Sequence, residues 1–91
     1  MEFDWDEAKN RSNQQKHGIG FEAVERFDWV SADIDIDDRE DYGELREVAL
    51  GFIGVVLYHL TYVETDDETI TIISLRAASA AEARRFARGR S

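Results

Sequence analysis

Residues 45–75 read LREVALGFIGVVLYHLTYVETDDETITIISL, and this stretch decides the fold. Across residues 45–52, Val48, Leu50 and Phe52 recur at every second position, the pattern of a strand with one face buried. Residues 55–63 are β-branched or aromatic on both faces, which predicts a central strand covered on each side. Residues 69–75 are again β-rich. Gly51 and Gly54 bracket a tight turn, and residues 64–68 form a second, acidic one. Consecutive strands joined by short turns predict an antiparallel meander.

Working outward from that meander, residues 31–38 alternate strictly between small or apolar residues and Asp, so they predict one more strand, followed by a polar loop over residues 38–43. Nearer the start, Phe3 and Trp5 alternate with acids and predict a short first strand. A helix is expected from about Glu7, capped by Asp4 or Asp6 and stopped at His17-Gly18, where glycine suits the left-handed position after a helix. A second helix is expected from near Phe21 to about Trp29, with Phe21, Val24 and Phe27 on one side. On the other flank, Ser79-Ala80-Ala81-Glu82 is a capping box that opens a last helix through Ala83, Phe86 and Ala87. The expected architecture is α+β. Two N-terminal helices and a C-terminal helix pack on a four- to five-stranded antiparallel sheet, in one domain spanning residues 1–91.

The 91 residues include no Cys, which excludes disulfides and thiolate metal sites. The first residues are acidic and lack the basic and apolar regions of a secretory leader, and the longest apolar run is interrupted by His59, so a cytoplasmic location without membrane contact is expected. The net charge of −9 is uneven. Residues 76–91 hold five Arg against Glu82 alone, a balance of +4, whereas residues 1–75 hold 6 basic and 19 acidic side chains, a balance of −13. That acidity excludes a broad non-specific nucleic-acid binder, while the basic end suits a phosphate-rich segment or an acidic partner.

Several residue groups have the chemistry for a site. Lys9, Asn13 and His17 stand at i, i+4 and i+8 of a strongly polar helix and run along one face, either toward a cleft or toward solvent. His17 is either a general acid or base or a partner of the helix dipole. His59, inside the most apolar strand, reads as a hydrogen-bonded core histidine. Asp33, Asp35 and Asp37 share one side of a strand; such a row either binds a divalent cation or guards a sheet edge, and edge protection is the better fit. Arg46 and Arg76 sit on β-rich segments that would orient their guanidinium groups toward phosphate, and Arg76 directly precedes the capped helix. A structural pairing of either Arg with one of the many acids is the competing reading.

The segments Trp5-Asp6-x-x-Lys9-x-x-x-Asn13-x-x-Lys16-His17-Gly18, Phe21-Glu22, Arg46 ahead of Gly51, and Ile72-Ile73-Ser74-x-Arg76-x-Ala78-x-x-x-Glu82 together resemble the BrnT toxins of bacterial type II toxin–antitoxin systems. The resemblance covers nearly the whole chain. It implies a RelE-like fold and metal-independent RNA cleavage that inhibits translation, with no cofactor. It also implies neutralisation by a BrnA-type antitoxin, with operator DNA engaged only through that antitoxin. On this resemblance His17, Arg46 and Arg76 are the candidate catalytic residues, and Lys9, Asn13, Lys16, Arg84 and Arg85 the candidate RNA contacts. The chain departs from the family pattern at Thr71, where Arg is usual, at Ala77, where a basic residue is common, and at Phe86, where Tyr is common. These departures define the alternative, a toxin-like binding module that acts with its antitoxin in repression and cuts RNA weakly.

Overall fold

Five strands form one sheet in the computed structural model, which describes residues 1–37 and 43–89. The expected loop at residues 38–42, and Arg90 of the basic end, lie outside the described residues. The strands are β1 (Glu2–Asp4), β2 (Asp33–Asp37), β3 (Arg46–Ile53), β4 (Val56–Glu64) and β5 (Thr69–Ala77), in the order β1-β5-β4-β3-β2. The helices are α1 (Glu7–His17), a 3-10 helix (Phe21–Arg26) and α2 (Ala80–Arg88).

The class is α+β, but two features differ from the expected RelE-like arrangement. The sheet is mixed, because β1 pairs with β5 in parallel, Phe3 beside Ile70, while the other pairs are antiparallel. A three-residue strand whose partner lies 67 positions away leaves no local trace of its direction. The second difference is that only one N-terminal α-helix forms. Residues 21–26 wind as a 3-10 helix, for which the spacing gives the reason. Phe21, Val24 and Phe27 recur every three residues, and a three-residue turn stacks such positions on one side, where all three are buried.

Alternation along each strand divides the sheet into two faces. The first carries Ala49, Ile53, Leu60, Tyr62, Ile70, Ile72 and Leu75, packed under Phe21, Val24 and Phe27. Gly51 belongs to this face, and a methyl group there would stand 2.5 Å from the Phe27 ring, so glycine is required for the close approach. The second face carries Leu50, Phe52, His59 and Arg76. It is covered in part by α2, whose Phe86 meets Phe52 edge to face at 5.6 Å.

The polarity of α1 has a structural use. Its sheet-facing side is built from two buried asparagines rather than apolar residues. Asn10 accepts from the Phe21 amide at 2.8 Å and donates to Glu22 at 2.6 Å, tying α1 to the 3-10 helix. Asn13 donates to the Leu75 carbonyl at 2.7 Å and the Ile19 carbonyl at 3.0 Å, and accepts from the Leu75 amide at 3.2 Å. One side-chain amide thereby occupies the β5 edge above the short β1, as a neighbouring strand would. Asp6 caps α1, and Gly18, at φ 74°, ends it in the left-handed conformation. No helix among the described residues is long and apolar enough to cross a membrane.

Candidate functional site

The strand-to-helix join after β5 is held by one carboxylate. Glu82 receives a two-point contact from Arg76, Nη1 to Oε1 at 2.8 Å and Nη2 to Oε2 at 2.9 Å. The same Oε1 accepts the Ser79 amide at 2.8 Å, while Ser79 Oγ accepts the Glu82 amide at 3.1 Å, so the capping box is complete. Arg76 also donates to the Ala77 carbonyl at 3.2 Å. His59 lies opposite Arg76 in the β4–β5 register, with Nε2 3.7 Å from Glu82 Oε2. The Arg76 hydrogen bonds foremost, then Ser79 and the neighbouring charges of His59 and Arg76, hold the Glu82 carboxyl down at about 2.

This has a consequence for acid stability. Because the folded value lies below the ordinary 4.5, the stabilisation is complete above pH 4.5 and is lost as pH falls toward 2. A shift of this size corresponds to at most about 3 kcal/mol. Glu82→Gln should therefore lower unfolding free energy at pH 7 by up to that amount, yet lose less stability than the parent between pH 5 and pH 2. Urea unfolding across that pH range checks it.

Arg85 and His59 line a cleft of about 310 Å³ beside Glu82, closed on its other side by Asp35, Asp37 and Val48. The acidic row of β2 thus faces the basic helix α2 across the second sheet face. Among the described residues no three His, Asp or Glu side chains are grouped as a metal ion would need. On the edge strand β2, Asp33 and Asp35 are exposed, as edge protection expects, with Asp35 accepting the Ile36 amide at 2.8 Å, whereas Asp37 is buried.

A separate cleft of about 240 Å³ opens between α1 and β5. Lys9, Ser12, Asn13, Lys16 and His17 line it from the helix, and Ile73 and Ser74 from the strand. Four of the residues singled out in the sequence are therefore neighbours. Lys9, Lys16 and His17 are exposed, while Asn13 is only 6% exposed and commits its amide to the backbone. Ser74 and Arg76 are two positions apart on β5, roughly 7 Å along the strand. Arg76 itself does not line the α1 cleft, and its guanidinium is directed to Glu82.

Arg46 is not brought to this place. It begins β3, opposite Asp37, and its Nε lies 3.5 Å from Glu44. From Arg76 it is two strands across and about four residues along, roughly 10 Å by 13 Å. Arg84 is exposed on α2. Phe86 is buried against Phe52. Sequence reasoning did not connect Glu82 and His59 with Arg76. The only signal was the spacing of Arg76 and Glu82 across the join, and the capping box already accounted for Glu82.

A sequence profile of the family described as "Ribonuclease toxin, BrnT, of type II toxin-antitoxin system" matches residues 5–82. The chain belongs to this family of ribonuclease toxins. It is also similar to the Brucella abortus ribonuclease toxin BrnT in a crystal structure at 1.1 Å resolution. The TM-score is 0.70 and the sequence identity 29%, covering 87% of this chain and 97% of that one. No curated protein sequence matches the chain. Membership of a type II toxin–antitoxin family implies an antitoxin as partner.

Proposed function

We propose that this chain is a cytoplasmic, metal-independent endoribonuclease that acts on single-stranded RNA and is neutralised by a BrnA-type antitoxin, through which alone it reaches operator DNA. The observation that carries the reading is the Lys9–Lys16–His17 cleft, lined from β5 by Ser74 two positions before Arg76, in a chain of this family. In such a reaction the 2′-oxygen attacks the adjacent phosphorus and the bond to the 5′-oxygen breaks. The 2′-hydroxyl proton passes to a base, and the leaving oxygen takes a proton from an acid or from solvent. His17, exposed at the C-terminal end of α1, serves as that base. Arg76 bears the charge of the crowded phosphorane, with Glu82 fixing the plane of its guanidinium. Lys9, Lys16, Arg84 and Arg85 hold flanking phosphates, and Arg46 contacts a more distant one. Purified chain should cut single-stranded RNA in excess EDTA. Cutting that appears only when Mg²⁺ is supplied would refute metal independence.

One observation favours the binding-module reading. The Arg76 fork is engaged by Glu82, and the buried Phe86 has no hydroxyl to offer. On that reading folded chain leaves RNA intact and still binds its antitoxin.

A further inference from the structure

On the first sheet face, strand register sets Ile34 beside Ala49 and Ile36 beside Glu47, and Glu47 in turn beside Tyr62. The rows run outward from the core to an uncovered corner. Ile34 is 51% exposed, Ile36 56% and Leu45, just before β3, 58%. Apolar side chains exposed side by side in this way are a feature of docking surfaces rather than of ordinary solvated faces. Within the same corner two carboxylates are held together. Glu47 stands opposite Tyr62, Glu64 follows two positions on along β4 on the same face, and the Tyr62 hydroxyl lies 3.5 Å from Glu47 Oε2. Burial first, and Glu64 second, push the Glu47 carboxyl above its ordinary range. Two neighbouring carboxyl groups beside aliphatic side chains, with no basic side chain bridging them among the described residues, would be complemented by a basic side chain placed between them.

We propose that this corner, Ile34, Ile36 and Leu45 around the Glu47–Glu64 pair, docks a segment of the antitoxin in which an Arg or Lys is flanked by aliphatic residues. Charge complementarity selects that occupant: the Glu47 and Glu64 carboxyls lie among the exposed aliphatic side chains, so a basic segment is drawn to this corner and an acidic one repelled. The inference rests on the reading that the chain has an antitoxin, and it adds where that partner binds and by what chemistry. The surface is remote from Lys16, His17 and Arg76, so neutralisation through it would need a second contact or a steric reach toward β5.

The probe is the purified protein encoded by the open reading frame adjoining the chain's own gene, titrated calorimetrically against the full-length chain at fixed ionic strength. Glu64→Lys and Ile36→Asp should each weaken binding at least 30-fold. Glu68→Lys, the same charge change in the exposed β4–β5 turn, should stay within threefold of the parent. Glu64→Gln, which keeps shape and removes charge, should weaken it about fivefold with an unchanged melting temperature, and so guards against a misfolded reversal variant. Equal affinity for the parent, Glu64→Lys and Ile36→Asp overturns this docking site while leaving the antitoxin reading intact. Absence of binding by the parent chain overturns the antitoxin reading and this site together.

Discussion

Replacing Arg76 by Ala is expected to lower the rate of RNA cleavage at least 100-fold. Removing one preorganised donor to a developing oxyanion costs about 3–4 kcal/mol of transition-state stabilisation in enzymes of several classes. Arg76 supplies a charged planar fork whose orientation is set by two bonds to Glu82. The variant also leaves Glu82, 15% exposed, without its main partner, which costs about 1–3 kcal/mol of stability. The two losses are separable. Glu82→Gln removes the same ion pair but leaves the cation, so it should lose comparable stability and far less activity. Arg76→Lys keeps the charge without the fork and should fall between them. Single-turnover cleavage under conditions where thermal melts show every variant folded distinguishes these outcomes. An Arg76→Ala chain cutting at the parental rate would remove Arg76 from the chemistry.

The second large effect is expected at Asn13, and it concerns the fold. Asn13→Ala deletes three hydrogen bonds and leaves the Leu75 amide and carbonyl without that partner in a buried setting. Unmet buried backbone groups cost about 1–3 kcal/mol each, so a loss of about 3 kcal/mol or more is expected. In a domain of this size each kcal/mol lowers the melting temperature by about 4–8 °C, which places the expected drop above 10 °C. Asn13→Asp should not rescue it. The carboxylate can still accept from the Leu75 amide but then faces the Leu75 and Ile19 carbonyls with no hydrogen to give. Ser12→Ala, on the same helix and lining the same cleft, should melt within a few degrees of the parent. Thermal unfolding of the three variants checks this. An Asn13→Ala chain as stable as the parent would mean that β5 does not depend on the side-chain amide at its edge.

These two residues also mark how far the sequence could be read. Local patterns were legible wherever a single element carries its own signal. The alternation in residues 45–75 corresponds to β3, β4 and β5, the Ser79–Glu82 box caps α2, and His17-Gly18 ends α1. What could not be read depended on distant partners. Nothing near Phe3 states that its strand lies parallel to β5. The spacing of Phe21, Val24 and Phe27 fits an α-helix loosely and a 3-10 helix well, and only burial of all three decides between them. Asn10 and Asn13 read as surface polarity because the groups they satisfy belong to other segments, Asn13 reaching Leu75 62 positions away. For the candidate site, Lys9, Asn13 and His17, set on one helix face by their spacing, line one cleft. Their placement beside β5, the distance of Arg46 from Arg76, and the hold of Glu82 on Arg76 required three dimensions. Glu82 had one adequate local explanation, the capping box, which concealed its second role.

The central claim is that RNA is cut here by transfer to its own 2′-oxygen. The chemistry of the new ends tests it most directly. A defined single-stranded RNA incubated with purified chain in excess EDTA should yield fragments ending in a 2′,3′-cyclic phosphate, with 5′-hydroxyl ends on the downstream pieces. Fragments bearing 3′-hydroxyl and 5′-phosphate ends, or intact RNA beside folded chain, would contradict the account.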